Sequence, residues 1–151
     1  MAIKVASADV YEVISAGLIE QLDAEISSRY PGEPVNGVEP AEFRQSGGYF
    51  VIGYWDSQAV GCGAFRPFDQ TTVEIKRMFV ALEFRGRGIA REILKAVEAE
   101  ARRRGYKRSI LETANRQPEA ISLYRLCGYE NIPKYGQYVD SARSLCFGKQ
   151  L

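Results

Sequence analysis

The sequence predicts a single mixed α/β domain. In two long stretches, apolar residues recur mainly at four-residue steps, which is the pattern of a helix that buries one face. Around these stretches lie short runs rich in β-branched and aromatic residues, bounded by glycine, proline and aspartate, as is typical of strands. A chain of 151 residues can bury one sizeable core, and it contains no repeat, low-complexity segment or interdomain linker. We therefore expect one domain over residues 1–151.

A short strand and a long helix are predicted to open the chain. Residues 3–5 form the strand. The helix begins near Ser7 or Asp9, since either side chain can cap it, and it ends before Pro31 and Gly32. The apolar stripe of this helix consists of Val10, Ile14, Leu18, Leu22 and Ile26.

A loop, a short helix and a hairpin are predicted next. The loop covers residues 33–38, and Pro40 suits the first turn of a helix that continues to Gln45. Residues 49–55 and 59–65 are strand-like, and the turn at Asp56 and Ser57 joins them as a β-hairpin.

The second half of the chain alternates strands with helices. Residues 72–80 predict a fourth strand, and residues 89–104 predict a long helix that ends at Gly105. The buried face of this helix is Ile89, Ile93, Val97 and Ala101. A strand at residues 109–113 and a helix at residues 118–127 follow. Two strands, near residues 135–139 and 144–147, are predicted to complete the sheet.

The turn between the fourth strand and the long helix is the most informative segment. It reads Arg85-Gly86-Arg87-Gly88-Ile89-Ala90. Glycines let the backbone approach a ligand, and the unpaired first N–H groups of a helix, together with its dipole, favour a phosphate there. A dinucleotide fingerprint needs a small residue where Arg91 stands, and the lysine of a P-loop does not occur. An ordinary tight turn flanked by arginines is the alternative.

The pattern Arg85-x-x-Gly88-x-Ala90 resembles the acetyl-CoA pyrophosphate loop of the GNAT superfamily of N-acetyltransferases, which reads Q/R-x-x-G-x-G/A. Glu74 lies eleven residues before Arg85, on the preceding strand, where many members of that family place a catalytic carboxylate. The order and spacing of these features make the resemblance specific.

Two further features of the same family follow in order. Asn115 lies nine residues before Tyr124, as in the N…LY pairing of the family. Residues 120–129 are similar to its A-x-x-L-Y-x-x-x-G-F/Y segment. The resemblance runs from about Tyr49 to the C-terminus, whereas the first forty or so residues match only in outline.

The resemblance implies a GNAT-like fold. In this fold a central mixed, mostly antiparallel sheet of six to seven strands is flanked by about four helices and splayed between strands 4 and 5. The pantetheine arm of acetyl-CoA, the cosubstrate, enters the gap and pairs with exposed strand backbone. The resemblance places this arm along the backbone of Met78, Phe79 and Val80. It places the pyrophosphate on Arg85, Gly86, Arg87, Gly88, Ile89 and Ala90. Asn115 is expected to contact CoA or a helix terminus.

The chemistry of amine acetylation gives Glu74 and Tyr124 their expected roles. A lysine-like amine has a pKa of about 10, so at neutral pH it needs a base, and Glu74 acting through water is the candidate. Pairing with Lys76 on the same strand face is an equally good reading of Glu74. Tyr124 is the residue that this family usually places at the leaving thiolate of CoA, which it stabilises by a hydrogen bond. The alternative for Tyr124 is packing in the core.

Composition excludes several other classes of function. The chain has no histidine, which removes Ser-His-Asp and Cys-His schemes and zincin motifs. The cysteines and acidic residues lack metal-ligand spacing, so no metal is predicted. The cysteines Cys62, Cys127 and Cys146 are scattered, as expected for reduced thiols in a cytoplasmic protein. A net charge of +1 does not favour nucleic acid, and no apolar run is long enough to predict a membrane span.

The acceptor is expected to be a small molecule with a primary amine, which attacks acetyl-CoA directly in a ternary complex. A short chain leaves little material for docking a protein, which favours an amino acid or an antibiotic-like amine over a protein tail. Segments 28–38, 66–69 and 135–138 are expected to shape the acceptor pocket, where Arg29 and Arg66 could bind a carboxylate. A protein or peptide acetyltransferase and a non-catalytic CoA-binding module remain alternatives. A small domain with an exposed terminal strand also suits a homodimer.

Overall fold

A computed structural model describes residues 2–32 and 40–151 of the chain. The loop predicted at residues 33–38 lies outside the described residues. The strands are β1 Ile3–Ser7, β2 Tyr49–Trp55, β3 Gln58–Pro67, β4 Thr72–Val80, β5 Arg108–Ala114, β6 Glu130–Ile132 and β7 Ser144–Gln150. The α-helices are α1 Val13–Arg29, α2 Pro40–Gln45, α3 Ile89–Arg103 and α4 Pro118–Leu126, and short 3-10 turns cover Leu82–Phe84 and Gly136–Tyr138.

The strands form one seven-stranded sheet in the order β1-β2-β3-β4-β5-β7-β6. Every neighbouring pair is antiparallel except β4 and β5, which run parallel. A parallel pair needs a crossover connection, and α3 supplies it. The predicted mixed, mostly antiparallel sheet with four helices is therefore confirmed.

The sheet is split between its two central strands. β4 and β5 pair over four positions, from Thr72 opposite Arg108 to Ile75 opposite Leu111. Beyond this point β4 continues along β3 to Val80, while β5 continues along β7 to Ala114. The predicted splay between strands 4 and 5 is thus present, and it leaves the facing backbone edges of both strands without a strand partner among the described residues.

Apolar layers cover both faces of the sheet. On one face α3 buries Ile89, Ile93, Leu94, Val97 and Ala101 against the strands. On the other face α1 and α2 bury Leu18, Leu22 and Phe43. Each fully buried valine, isoleucine, leucine or phenylalanine side chain stabilises the fold by about 1.5–3 kcal/mol. Among the described residues, no helix is both long and apolar enough to cross a bilayer.

A β-bulge interrupts β4 just past the split. On β3, Cys62 and Ala64 lie opposite Phe79 and Lys76, so two steps on β3 face three on β4. The extra residue sits at Arg77, whose φ of 61° lies in the left-handed region that side chains other than glycine rarely adopt. Two contacts hold it there: Arg77 Nη1 donates to Asp23 on α1 at 2.8 Å, and the Cys62 thiol donates to the Arg77 carbonyl at 3.2 Å.

The predicted start of the first helix is wrong by several residues. α1 begins at Val13 because the side chain of Asp9 accepts the Tyr11 N–H at 2.9 Å and holds a turn there instead of capping a helix. In the apolar stripe Leu18 and Leu22 are buried and Ile26 is partly buried, but Ile14 is 48% exposed.

The strand predicted near residues 135–139 is also wrong. Residues Gly136–Tyr138 form a 3-10 turn, and the penultimate strand is the earlier segment Glu130–Ile132. Gly136 adopts a φ of 53°, which breaks the extended conformation. Tyr135 and Tyr138 then pack edge to face at 5.4 Å between ring centres, which explains why apolar residues recur there without forming a strand.

Candidate functional site

The turn between β4 and α3 presents backbone donors at the open end of the split. Gly86 and Gly88 have φ values of 80° and 83°, which only glycine adopts without strain. The first hydrogen bond of α3 runs from Glu92 N to Gly88 O at 3.1 Å. The N–H groups of Ile89 and Ala90 therefore point out of the helix end, where the helix dipole is positive. Because the Ile89 side chain is buried, only its backbone is available to a ligand.

The two arginines of this turn differ in their surroundings. Arg85 Nε donates to the Val80 carbonyl at 2.8 Å, and Arg85 Nη2 donates to Glu25 on α1 at 2.6 Å. Arg85 therefore braces the end of β4 against α1. Arg87 is exposed and stacks over the ring of Trp55 at 4.8 Å. Of the two, Arg87 is the one free to meet an anion from solvent.

Where β4 has separated from β5 it stays paired with β3, and a glycine on β3 allows the two strands to approach closely. Phe79 lies opposite Cys62 and Val80 lies opposite Gly61. A Cβ on Gly61 would come within 2.6 Å of the Phe79 carbonyl oxygen. Met78 packs into the α3 layer and Phe79 into the α1 layer. The part of Met78, Phe79 and Val80 that faces the split is therefore their backbone.

Glu74 is a buried carboxylate whose two oxygens are both hydrogen-bonded. It is 1% exposed. Arg66, its cross-strand partner, donates from Nε to Oε1 at 2.8 Å, and the Tyr135 hydroxyl donates to Oε2 at 2.7 Å. Burial and then the charge of Glu74 raise the pKa of Tyr135. Lys76, the partner considered from the sequence, instead donates to the Tyr138 hydroxyl at 3.1 Å.

Tyr124 lies on α4 with its ring in the core. It is 6% exposed and packs against Tyr129 and Phe147, at 5.8 and 6.5 Å between ring centres. No other described residue forms a hydrogen bond with its hydroxyl. Burial, and then the charge of Glu112, raise the pKa of Tyr124, so the phenol stays protonated and can donate.

Asn115 and Arg29 lie at the far end of the split. Asn115 follows β5 directly, its side chain is exposed, and its N–H donates to the Arg143 carbonyl at 2.9 Å. Arg29, at the end of α1, forms an ion pair with Glu119 on α4. The two arginines predicted for a substrate carboxylate, Arg29 and Arg66, thus both have carboxylate partners within the protein.

Glu112 is a site residue that the sequence analysis did not identify. It lies on β5, one residue after the last position that pairs with β4, and Ser144 Oγ donates to its Oε2 at 2.7 Å. Burial raises the pKa of Glu112, while the nearby charge of Lys76 lowers it. The available signal was an acidic residue inside the otherwise apolar strand of residues 109–114. Within the described ranges, no group of three or more cysteine, aspartate or glutamate side chains could hold a metal ion.

Comparison with known proteins gives a consistent family match. A family model described as the acetyltransferase (GNAT) family matches residues 17–129. The IAA acetyltransferase of Azospirillum brasilense is 33% identical over 135 residues, which are 89% of this chain and 88% of that protein.

Solved structures share the fold over almost the whole chain. A Klebsiella pneumoniae protein assigned as an acyl-CoA N-acyltransferase superposes with a TM-score of 0.83 at 26% identity, covering 99% of this chain and 97% of that one. A GNAT family acetyltransferase from Elizabethkingia anophelis, solved with acetyl-CoA bound, has a TM-score of 0.72 at 20% identity and covers 99% of both chains.

Proposed function

Since the chain belongs to the GNAT family of acetyltransferases, we propose that it transfers the acetyl group of acetyl-CoA to the primary amine of a small molecule, by direct attack in a ternary complex. The observation that carries the proposal is the split between β4 and β5, which opens beside the N-terminus of α3. A backbone edge and an anion site then lie next to each other, as a ligand with an amide-rich arm and a diphosphate requires.

The turn fits a diphosphate on stereochemical grounds. A Cβ built on Gly86 or on Gly88 would meet nothing within 4 Å, so the space above the turn is open. The N–H groups from Gly86 to Ala90 and the guanidinium of Arg87 would bind the pyrophosphate. The backbone of Met78, Phe79 and Val80 would bind the pantetheine arm from the β4 side of the split. Asn115 would contact it from the β5 side. The acetyl-CoA in the Elizabethkingia anophelis structure supports this assignment.

The residues around the split have complementary roles in the proposed reaction. Acetyl-CoA supplies an activated thioester. The acceptor nitrogen bonds to the acetyl carbon and the C–S bond breaks, with the electron pair going to sulfur. A backbone N–H near Phe79 or Val80 stabilises the oxyanion, and Tyr124 donates a hydrogen bond to the leaving thiolate. The ammonium sheds two protons: one goes to solvent through Glu74 and water, and the other ends on the CoA thiol.

Glu74 would accept its proton through water or through the Tyr135 hydroxyl. Both of its oxygens already accept hydrogen bonds, from Arg66 and Tyr135. Direct contact with the acceptor is therefore less favourable than a relay through water or through the Tyr135 hydroxyl.

The test is thiol release from acetyl-CoA across a panel of amino acids, polyamines, aminoglycosides and basic peptides. We expect release with a small amine, and a rise in Tm with acetyl-CoA alone. Release with peptides only would move the assignment to a protein acetyltransferase. A Tm shift without any release would contradict turnover of these amines, and no shift at all would overturn the diphosphate site.

A matched pair of variants tests the turn itself. Gly88→Glu places a carboxylate where the diphosphate would lie, and we expect it to abolish acetyl-CoA binding measured by calorimetry. Gly105→Glu is the control, because Gly105 lies just beyond the other end of α3, has a φ of 90°, and also has nothing within 4 Å of its Cβ position. The two variants carry the same backbone strain, so only loss specific to Gly88→Glu supports the assignment.

A further inference from the structure

Two opposite charges face each other across the start of the split. The last paired residues of β4 and β5 are Ile75 and Leu111. The next residues along each strand are Lys76 and Glu112. Since side chains alternate between the faces of a sheet, both point to the face that also carries Glu74. Lys76 and Glu112 thus lie on opposite sides of the split, one position past the last paired residues of β4 and β5.

These two charges are not paired with each other. Lys76 Nζ donates to the Tyr138 hydroxyl at 3.1 Å, and Glu112 accepts from Ser144 at 2.7 Å. Neither forms an ion pair with another described residue, whereas Glu74 beside them has Arg66.

Both charged groups are poorly solvated where they lie. Burial lowers the pKa of Lys76, an effect that the charges of Glu74 and then Glu112 only partly offset. Burial raises the pKa of Glu112, an effect that the Ser144 hydrogen bond and the charge of Lys76 only partly offset. Partly buried charges without ion-pair partners are unfavourable, and a ligand that brings the complementary charges would offset that cost.

We propose that Lys76 and Glu112 recognise the acceptor and that the acceptor is an α-amino acid, with its ammonium group on Glu112 and its carboxylate on Lys76. This inference rests on the proposed function. It places the reacting nitrogen where the chemistry needs it, because Glu112 lies close enough to Tyr124 to influence its hydroxyl electrostatically. The acceptor amine and the leaving sulfur would then meet between Glu112 and Tyr124.

An aromatic wall lies beside this pair. Phe68 packs edge to face on Tyr135, at 5.3 Å between ring centres, and Tyr135 packs on Tyr138, which holds Lys76. Phe68 is 45% exposed. This wall would contact the side chain of the amino acid, which favours apolar over charged acceptors.

The test compares acceptors that differ only in the carboxylate. Each trio consists of an amino acid, its amide and its decarboxylated amine, for example phenylalanine, phenylalaninamide and phenethylamine. We expect kcat/KM in the wild type to be about 10- to 100-fold higher for the amino acid, as for one charge-assisted hydrogen bond. Lys76→Met should remove this preference by raising KM for the amino acid far more than for the decarboxylated amine. Glu112→Gln should lower kcat/KM for all three.

Exposed residues supply matched controls. Lys4→Met and Glu20→Gln make the same chemical changes on the surface, far along the chain from the split, and should leave all values unchanged. A thermal melt of each variant shows that it is folded. Amino-acid binding measured by calorimetry gives a readout independent of turnover, and it should weaken in Lys76→Met.

The failure of this inference is distinguishable from the failure of the proposed function. Absence of thiol release with every amine contradicts the proposed function. An amine that is used as well as its amino acid, in the wild type and in Lys76→Met alike, overturns the inference and leaves acetyl transfer intact. Absence of calorimetric binding for every amino acid also overturns the inference.

Discussion

Replacing Glu74 by Gln tests whether this carboxylate is a base, a structural residue or both. In the wild type its two oxygens accept hydrogen bonds from the Arg66 guanidinium at 2.8 Å and the Tyr135 hydroxyl at 2.7 Å. A glutamine keeps the shape and can keep both contacts: its oxygen accepts from Arg66, and its NH₂ donates to Tyr135. The substitution therefore removes the charge while changing the packing little.

The expected loss of stability follows from those two bonds. A hydrogen bond to a charged group contributes about 1.5–3 kcal/mol, and a neutral one about 0.5–1.5 kcal/mol. The Tyr135 bond becomes neutral, and the Arg66 bond keeps its charged donor but loses the charge of its acceptor, which together give a loss of roughly 2 kcal/mol. Since the Arg66 side chain is 28% exposed, water recovers part of its solvation, and we expect about 1–2 kcal/mol.

Urea unfolding and kinetics on the same variants provide the assay. Tyr135→Phe is the control, because it removes one bond and leaves the charge of Glu74 in place, so it should cost about 1.5–3 kcal/mol. If Glu74 is also the base, Glu74→Gln lowers kcat at unchanged acetyl-CoA affinity. An unchanged urea midpoint would refute the structural reasoning, and an unchanged kcat in the destabilised variant would refute the role as base.

Three further predictions concern the framework of the site. Gly61→Ala should lower the free energy of unfolding by about 1–3 kcal/mol, because its Cβ would lie 2.6 Å from the Phe79 carbonyl oxygen; a wild-type urea midpoint would contradict the packing. Burial raises the pKa of Cys62 to about 12, so a thiol reagent should label it only on unfolding, and rapid labelling in the native state would contradict its burial. Hydrogen bonding from Arg103 lowers the pKa of Glu100 from 4.5 to about 2. Glu100 should therefore stabilise the fold above about pH 4.5 and lose this effect as the pH falls through 2. Because Arg103 is 70% exposed, the effect should be about 1 kcal/mol, and a Glu100→Gln stability curve parallel to the wild type would contradict it.

The sequence could predict those elements whose residues repeat with a clear period. The hairpin of β2 and β3 and the helix α3 have such periods, and the structure places them within a few residues of the prediction. The prediction for residues 135–139 is wrong because two tyrosines three residues apart pack their rings together around a 3-10 turn. The start of α1 misled because Asp9 can hold a turn as readily as it can cap a helix.

The candidate site could be predicted only where local order defines it. The pyrophosphate loop is contiguous, so its residues could be named from the sequence. The partner of Glu74 could not, because Arg66 comes to lie opposite it through the register of the β3–β4 hairpin. Glu112 lies across the split from Lys76 only because of the register of two parallel strands that are far apart in sequence.

The bulge at Arg77 determines which face of the sheet each residue at the end of β4 occupies. Before it, Glu74 and Lys76 face the α1 side of the sheet; after it, Phe79 faces that side while Met78 and Val80 pack toward α3. The extra residue at the bulge therefore changes which residues face α1: they are even-numbered before the bulge and odd-numbered after it. Deleting Arg77 would remove the bulge and leave Met78, Phe79 and Val80 on their present faces, whereas straightening the bulge with every residue kept would send Phe79 toward α3 and Met78 and Val80 toward α1. The faces of these last three residues therefore depend on the left-handed conformation of Arg77, which its contacts with Asp23 and Cys62 stabilise.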